Sequence, residues 1–177
     1  TFFDESAKGV WQTNCENKTS LLITTADFRP ISDIKLTVSP FPVNSQSPLA
    51  NIKSCNYLEN LLAFEEAKKR NFNEAVRFNE KGEIASATMA NIFWCKNNKV
   101  FTPKLETGCL AGTMREFLVE NFEIVEVAEP IESLQNSDEI FLTSAGIGVS
   151  KVASFENRKL ESTKTADKFS NILHQVV

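Results

Sequence analysis

The sequence predicts a mixed α/β fold of the α+β kind, and three of its features point there. Between residues 74 and 103, four short runs rich in β-branched and aromatic residues are punctuated by turn signals at Gly82 and at Asn97-Asn98. Ahead of them lies one clear helical stretch, 52–70, with Leu58, Leu61 and Leu62 at i, i+3, i+4 spacing. Beyond Gly112 helices and strands alternate, but without the regular βαβ repeat of a doubly wound sheet. A length of 177 residues suits one ordinary domain with a fragment of a second. Such a chain should bury roughly 70% of its unfolded surface, enough for a real core.

Taken in order, residues 1–19 are polar and carry no periodic pattern. LLITT (21–25) reads as a strand, and Pro30 breaks the chain after it. IKLTVSPF (34–41) alternates as a strand and runs into the proline-punctuated loop PFPVNSQSP, which reads as a linker. In the 52–70 helix, Glu59, Asn60 and Glu66 turn off the leucine stripe, while Glu65 falls on it. EAVRFN (74–79) and EIASAT (83–88) form one hairpin; NIFWCK (91–96) and KVFTP (99–103) form a second. A helix runs from Gly112 to Glu120, then a strand over EIVEVA (123–128) and a short helix begun by Pro130. EIFLTSA (139–145) and KVASFE (151–156) are strands. Ser162 or Thr163 caps a last helix ending near His174.

Composition excludes several functions. Nineteen basic against 23 acidic side chains leave a net charge of −4, with no excess to neutralise phosphates, so neither nucleic acid nor an anionic membrane is an expected partner. The N-terminal TFFDESAKGVW lacks a basic, long apolar leader, and no apolar run approaches 18 residues; the expected location is the cytoplasm. Cys15, Cys55, Cys95 and Cys109 form no C-x-x-C pair, which argues for free, mostly buried thiols in a reducing compartment. Asn17-Lys18-Thr19 has the form of a glycosylation sequon, in a context that is not secretory. The single histidine, His174, sits three residues from the end, which removes Ser-His-Asp, Cys-His and His-rich metal sites. A catalyst here must be built from Lys, Tyr, carboxylates, hydroxyls or a cofactor.

Three constellations could carry chemistry. Lys53 and Tyr57 are four apart at the mouth of the 52–70 helix, on one helical face, where an amine and a phenol could hold an aldehyde and its neighbouring oxygen. GCLAGTMR (108–115) brackets a loop with glycines and feeds a helix, so that the backbone N–H groups of Thr113 and Met114 point at anything in front of it. FLTSAGIG (141–148) ends a strand in hydroxyls and glycines, which also suits phosphate.

In this fixed order, IKSCNYLENLLAFEEA, ATMANIFW, Thr102-Pro103, GCLAGTMRE and FLTSAGIGV resemble the class IV aminotransferase family over about residues 45–155. These are the fold-type IV pyridoxal-phosphate enzymes: branched-chain and D-amino-acid aminotransferases and aminodeoxychorismate lyase. The resemblance implies the large cofactor-binding domain of the D-amino-acid aminotransferase-like fold over 46–177. It further implies a linker with the first strand over 31–45, and over 1–30 the remnant of a small N-terminal domain that is mostly absent. Pyridoxal 5'-phosphate is the implied cofactor, a small amino compound the implied substrate, and a homodimer the implied assembly.

Position by position, the resemblance makes Lys53 the lysine that carries the cofactor and shuttles the substrate proton. Tyr57 would bond the cofactor's phenolic oxygen, Leu110 would pack on one ring face, and the amides of Thr113 and Met114 would bind the phosphate. Ser144 and Ala145 form the second phosphate turn, and Arg115 is read as structural. The Trp of ANIFW (Trp94) looks more like the lyase than like the branched-chain enzymes. The expected activity is a lyase of the aminodeoxychorismate type; the alternatives are a branched-chain or D-amino-acid aminotransferase, or a non-catalytic truncated relative or assembly partner.

Two departures stand out. The family's glutamate for the pyridine nitrogen, five residues before the Asn of ANIF, is here Ser86. Exchanging that charge-assisted bond for a hydroxyl forfeits roughly 1.5–3 kcal/mol of support for a protonated ring. Glu83, at an odd offset on the strand, faces the other way, and Thr88 shares the face of Ser86 but brings no charge. Ala145 and Lys151 also replace a hydroxyl and a proline. The second departure is length: the front domain is short by on the order of 100 residues, and Thr1 in place of Met reads as a cut end.

Overall fold

The computed structural model describes residues 2–4, 19–25 and 33–176. Thr1, Cys15, Asn17-Lys18 and Pro30 lie outside the described residues, and with them most of the expected 1–30 remnant. Within that stretch, β1 (Phe2–Asp4) pairs antiparallel with β2 (Thr19–Leu21), Phe2 opposite Leu21. Of the strand expected over 21–25, only Leu21 belongs to a strand, and 22–25 carry no regular secondary structure.

The rest is one nine-stranded mixed sheet. β3 (Ile34–Val38) lies parallel to β4 (Glu74–Phe78) on one side and to β10 (Gly148–Phe155) on the other. β5 (Ile84–Ala87) is the antiparallel edge beyond β4. On the far side of β10 follow β9 (Glu139–Ser144), β6 (Asn91–Lys96) and β7 (Lys99–Pro103), each antiparallel to its neighbour, and then β8 (Ile124–Val127), parallel to β7. A short β11 (Arg158–Lys159) folds back on β10. The sheet curls until its ends touch: the amide of Ile84 in β5 donates to the carbonyl of Glu129, just past β8, at 2.8 Å. Both edges thereby gain cover that an open sheet would lack.

Both hairpins form as expected. Asn97 and Asn98 carry φ of 50° and 62°, the left-handed pair that a two-residue turn needs. The unbroken apolar run NIFWC follows from β6 being covered on both faces. Ile92 and Trp94 enter the cluster inside the curl with Leu36, Val76, Ile140 and Leu142. Phe93 and Cys95 face the other way, with Phe141, Leu118 and Phe169, under the helices α2 (Thr113–Asn121) and α4 (Lys164–Val176). There Phe93 stacks on Phe141 at 5.0 Å and Phe169 meets Phe141 edge-on at 5.7 Å.

Three expectations need correction. The first helix, α1, spans Leu58–Lys69, so Lys53 and Tyr57 do not share a helical face; Tyr57 occupies its N-cap position. Its buried residues are Ala63 and Ala67, while Leu58, Leu61 and Leu62 are 62%, 46% and 51% exposed. Small side chains let the helix lie close on β4, and Asn60, expected to turn away, faces inward. Thr163 stands at the N-cap position of the last helix, its carbonyl accepting from the Asp167 amide (2.9 Å), but the side chain that takes the first-turn amides comes from across the fold: the carboxylate of Glu139, 2% exposed in β9, accepts from the amides of Thr165 (3.1 Å) and Ala166 (2.8 Å). An acceptor from another element satisfies orphan N–H groups as well as a local one. The remaining helix α3 (Glu132–Gln135) is one turn, as Pro130 foretells.

Free thiols are found at Cys55, exposed, and at Cys95 and Cys109, buried. Burial pushes the Cys95 thiol up to about 11 and raises that of Cys109, so neither is ionised at neutral pH. Among the described residues no helix is long and apolar enough to cross a membrane, and no cluster of His, Cys, Asp and Glu could hold a metal ion.

Candidate active site

The strand directions bring the candidate residues to one end of the sheet. Asn91, which opens β6, stands opposite Thr143 of β9, and Ser144, the next residue, pairs with Gly148. β7 runs antiparallel to β6 and leaves the sheet at Pro103 at the same end. It continues through a 3-10 turn (Leu105–Thr107) into the loop 108–112 and the start of α2. β5 arrives there too, through the turn 88–90 that precedes Asn91.

Asn91 shapes the anion cradle. Its amide nitrogen donates to the carbonyl of Leu110 at 2.7 Å, and its Oδ1 lies so near Gly112 that a Cβ there would sit 2.2 Å from it. Only glycine can open this helix while Asn91 keeps its bond. No side chain caps α2, which leaves its first turn to other acceptors. Thr113 is exposed and Met114 half-buried. Across from them, Ser144 is half-buried and Ala145 exposed in the turn closed by the Ile147 amide on the Ser144 carbonyl (3.3 Å). The hydroxyl of Thr143 is buried at the same end without a hydrogen-bond partner. Arg115 points away from the cradle: it is buried, donates to the carbonyl of Pro103 at 2.8 Å and pairs with Glu126, a brace under the loop.

The lysine arrives on the segment 39–53, which is pinned along its length. The Val43 amide donates to Phe78 O (2.7 Å), and Ser45 donates through its amide and hydroxyl to Glu80 (2.9 and 2.6 Å). Gly108, at φ +91°, lets the cradle loop close on this segment; a Cβ would come within 3.0 Å of Val43 and 3.1 Å of Ser45. With its amide turned to donate, Asn51 reaches the carbonyls of Cys109 (2.5 Å) and Leu105 (3.0 Å). Two residues later Lys53 is exposed, with its Nζ 5.0 Å from the centroid of the Tyr57 ring. The pairing of Lys53 with Tyr57 is thus real, but an extended lead-in to α1 makes it, not a helix turn.

Ser86 lies under the start of α1. It is half-buried and stands opposite Arg77 of β4, so both side chains leave the same sheet face. Asn60, in the first turn of α1, accepts from Arg77 at 2.8 Å and donates to Thr88 O at 2.5 Å, tying the helix to this corner. Asn51, Asn60, Arg77, Asn91 and Thr143 were not singled out in the sequence. Arg77 had a readable signal, a charge inside the strand EAVRF; the asparagines had none, since their partners lie far away in the chain.

One end of the sheet thus carries an open helix start and a hydroxyl-bearing turn, and the segment pinned to the cradle loop carries an amine beside a phenol. The chain belongs to the family Amino-transferase class IV, whose profile matches residues 3–155. An aminodeoxychorismate lyase of Vibrio harveyi is 34% identical over 125 residues, which cover 68% of this chain and 46% of that protein. Among solved structures, a Legionella pneumophila protein assigned as a 4-amino-4-deoxychorismate lyase superposes with a TM-score of 0.77 at 26% identity, over 86% of this chain and 59% of that one. A branched-chain aminotransferase of Thermoproteus uzoniensis shares the fold with a TM-score of 0.79 at 22% identity, over 87% of this chain and 54% of that one. The chain thus spans about half the length, or a little more, of these relatives.

Proposed function

We propose that the chain carries the cofactor-binding part of a pyridoxal-5'-phosphate-dependent lyase of the aminodeoxychorismate type, in the cytoplasm and as a homodimer. Residues 46–177 would form that large domain, 31–45 its linker and first strand, and 1–30 the remnant of a smaller one. The observation that carries the reading is that the α2 start and the Ser144–Ala145 turn lie at one end of the sheet, while the segment bearing Lys53 is tied to the cradle loop through Asn51 two residues before it. The 34% identity to a lyase supports the reading, but a branched-chain aminotransferase relative is equally identical, so the choice within the family rests on Ser86.

The residues present fit the cofactor at two ends. Its phosphate would meet the amides of Thr113 and Met114, in a cradle that a Cβ at Gly112 would fill, and the turn at Ser144–Ala145. Its aldehyde would meet Lys53 Nζ, with Tyr57 beside it and Leu110 against the ring. When bound, pyridoxal phosphate supplies an electrophilic carbon for a substrate amine and a ring that draws electrons from the Cα–H bond. Lys53 Nζ would be the base placed to take the proton from the substrate's Cα, and Tyr57 with the phosphate cradle would fix the plane in which it is taken. Elimination passes the bonding electrons to the leaving group and asks little of the ring nitrogen; amino transfer asks more. Ser86 therefore favours the lyase over the aminotransferase alternative.

The test is direct. Protein mixed with cofactor should turn yellow, be bleached by borohydride, and carry the reduced label on Lys53; Lys53→Ala should do none of these. Incubated with 4-amino-4-deoxychorismate it should release 4-aminobenzoate and pyruvate. Clear amino transfer to 2-oxo acids without elimination would move the reading to the aminotransferases. A colourless, unlabelled protein would leave the non-catalytic relative.

A further inference from the structure

We infer that Ser86 and Arg77 together make the sheet face behind the cofactor ring neutral to cationic, so that a ring bound at Lys53 keeps its nitrogen unprotonated. The inference rests on the proposed cofactor reading and on Ser86 occupying the ring-nitrogen position. Arg77 and Ser86 are register partners on β4 and β5, so their Cβ atoms lie about 4.5–5.5 Å apart on one face. The Arg77 side chain is 4% exposed and cannot swing away, because neutral acceptors fix it: Phe41 O (3.1 Å), Pro42 O (2.8 Å) and Asn60 Oδ1 (2.8 Å). Among the described residues its one anionic contact is Glu59 at 3.3 Å, a side chain 79% exposed and therefore screened by water.

The other carboxylates near this corner are committed elsewhere. Glu74 folds its carboxylate onto the amides of Ala75 (2.8 Å), Thr88 (3.0 Å) and Met89 (3.3 Å) and onto the Thr88 hydroxyl. Glu83 accepts from Asn79 Nδ2 at 2.7 Å, at the far end of the hairpin. Ser86 is thus left as a hydroxyl beside a buried cation. A hydroxyl donates to a bare ring nitrogen as readily as it accepts from a protonated one, and the fixed guanidinium disfavours a second positive charge close by. The hydroxyl accommodates either state, and the guanidinium selects the unprotonated ring.

The experiment uses the whole chain loaded with pyridoxal phosphate labelled with 15N in the ring. Borohydride trapping on Lys53 first establishes that the cofactor is seated. The 15N resonance of the wild type should then lie at the unprotonated position at neutral pH, and Ser86→Glu, which pairs a carboxylate with Arg77 and the ring, should move it by the full protonation shift. Ser86→Ala should leave it where the wild type has it. A protonated resonance in the wild-type adduct overturns the inference while the Lys53 reading stands; so does an unmoved resonance in a seated Ser86→Glu adduct. Absence of any Lys53 adduct overturns the cofactor reading and the inference with it. The wild-type resonance decides by itself, so a poorly folding variant cannot rescue the idea.

Discussion

A methyl group added at Gly112 has nowhere to go. It would meet Asn91 Oδ1 at 2.2 Å, and the amide that must yield is the one whose nitrogen holds Leu110 O. Gly112→Ala should therefore break that bond and shift the start of α2, at a cost of about 1–3 kcal/mol in stability. Its larger effect should be on the anion site: denaturant unfolding reports the first loss, and titration of cofactor absorbance should give a weaker dissociation constant than wild type. Asn91→Ala in the same background tests the cause, because removing the obstructing oxygen should recover part of the stability lost on adding the methyl. At this scale the sequence was informative about chemistry and silent about support. Lys53, Thr113 and Ser144 sit in motifs that name their trade. Asn91 belongs to the motif ANIF, yet its bond to a carbonyl 19 residues away is invisible until β6 and the cradle loop are both placed.

Among the elements, the segment 39–53 carries the lysine without regular secondary structure, so its placement rests on a few side-chain anchors. The Ser45 amide and hydroxyl hold the Glu80 carboxyl well below its ordinary value near 4.5, at about 2. A depressed acid contributes stability that is present above the unfolded value and is lost as pH falls through the folded one. Glu80→Gln should thus loosen the segment at neutral pH, seen as faster amide exchange at Ser45. The difference from wild type should shrink as pH drops from about 4.5 toward 2. A gap that stays constant over that range would mean that Ser45 is held by something else. The hairpins were legible because two local signals agreed, short runs rich in β-branched and aromatic residues and a left-handed Asn-Asn or Gly turn. The start of α1 was not. The residues 52–57 have helical composition, but Asn51 is drawn to Cys109 and Leu105 and Asn60 to Thr88, and those tertiary bonds fix an extended lead-in. The side chain that takes the first-turn amides of α4 was missed for a similar reason, since Glu139 precedes Thr165 by 26 residues.

At the scale of the whole molecule, the described residues leave an apolar face exposed on the outer side of α1. Ala63 and Ala67 turn α1 toward β4, so Leu58, Leu61 and Leu62 face outward, and Leu49 and Ile52, at 48% and 57% exposure, extend that apolar set along the chain toward Lys53. Burying one leucine fully is worth about 1.5–3 kcal/mol, and each of these is already half covered, so several must be buried together to drive association. The rim of α1 carries both charge signs in the exposed ion pair of Lys68 with Glu65 (3.1 Å), which suits contact with an identical, self-complementary face. This helix is therefore the face on which the proposed homodimer is expected to form. Sedimentation equilibrium should give twice 19.8 kDa at micromolar concentration, and Leu61→Glu with Leu62→Glu should give a single chain. Glu propagates a helix about as well as Leu, and both positions are exposed in the single chain, so circular dichroism and thermal unfolding of that monomer should stay cooperative. A wild type that sediments as a monomer at all concentrations, or a double variant that remains dimeric, would detach this face from the assembly. Because Lys53 lies one residue beyond Ile52, a dimer built on this face would also shield the amine from bulk water, so cofactor binding should weaken in the monomeric variant although no residue of the cradle has changed.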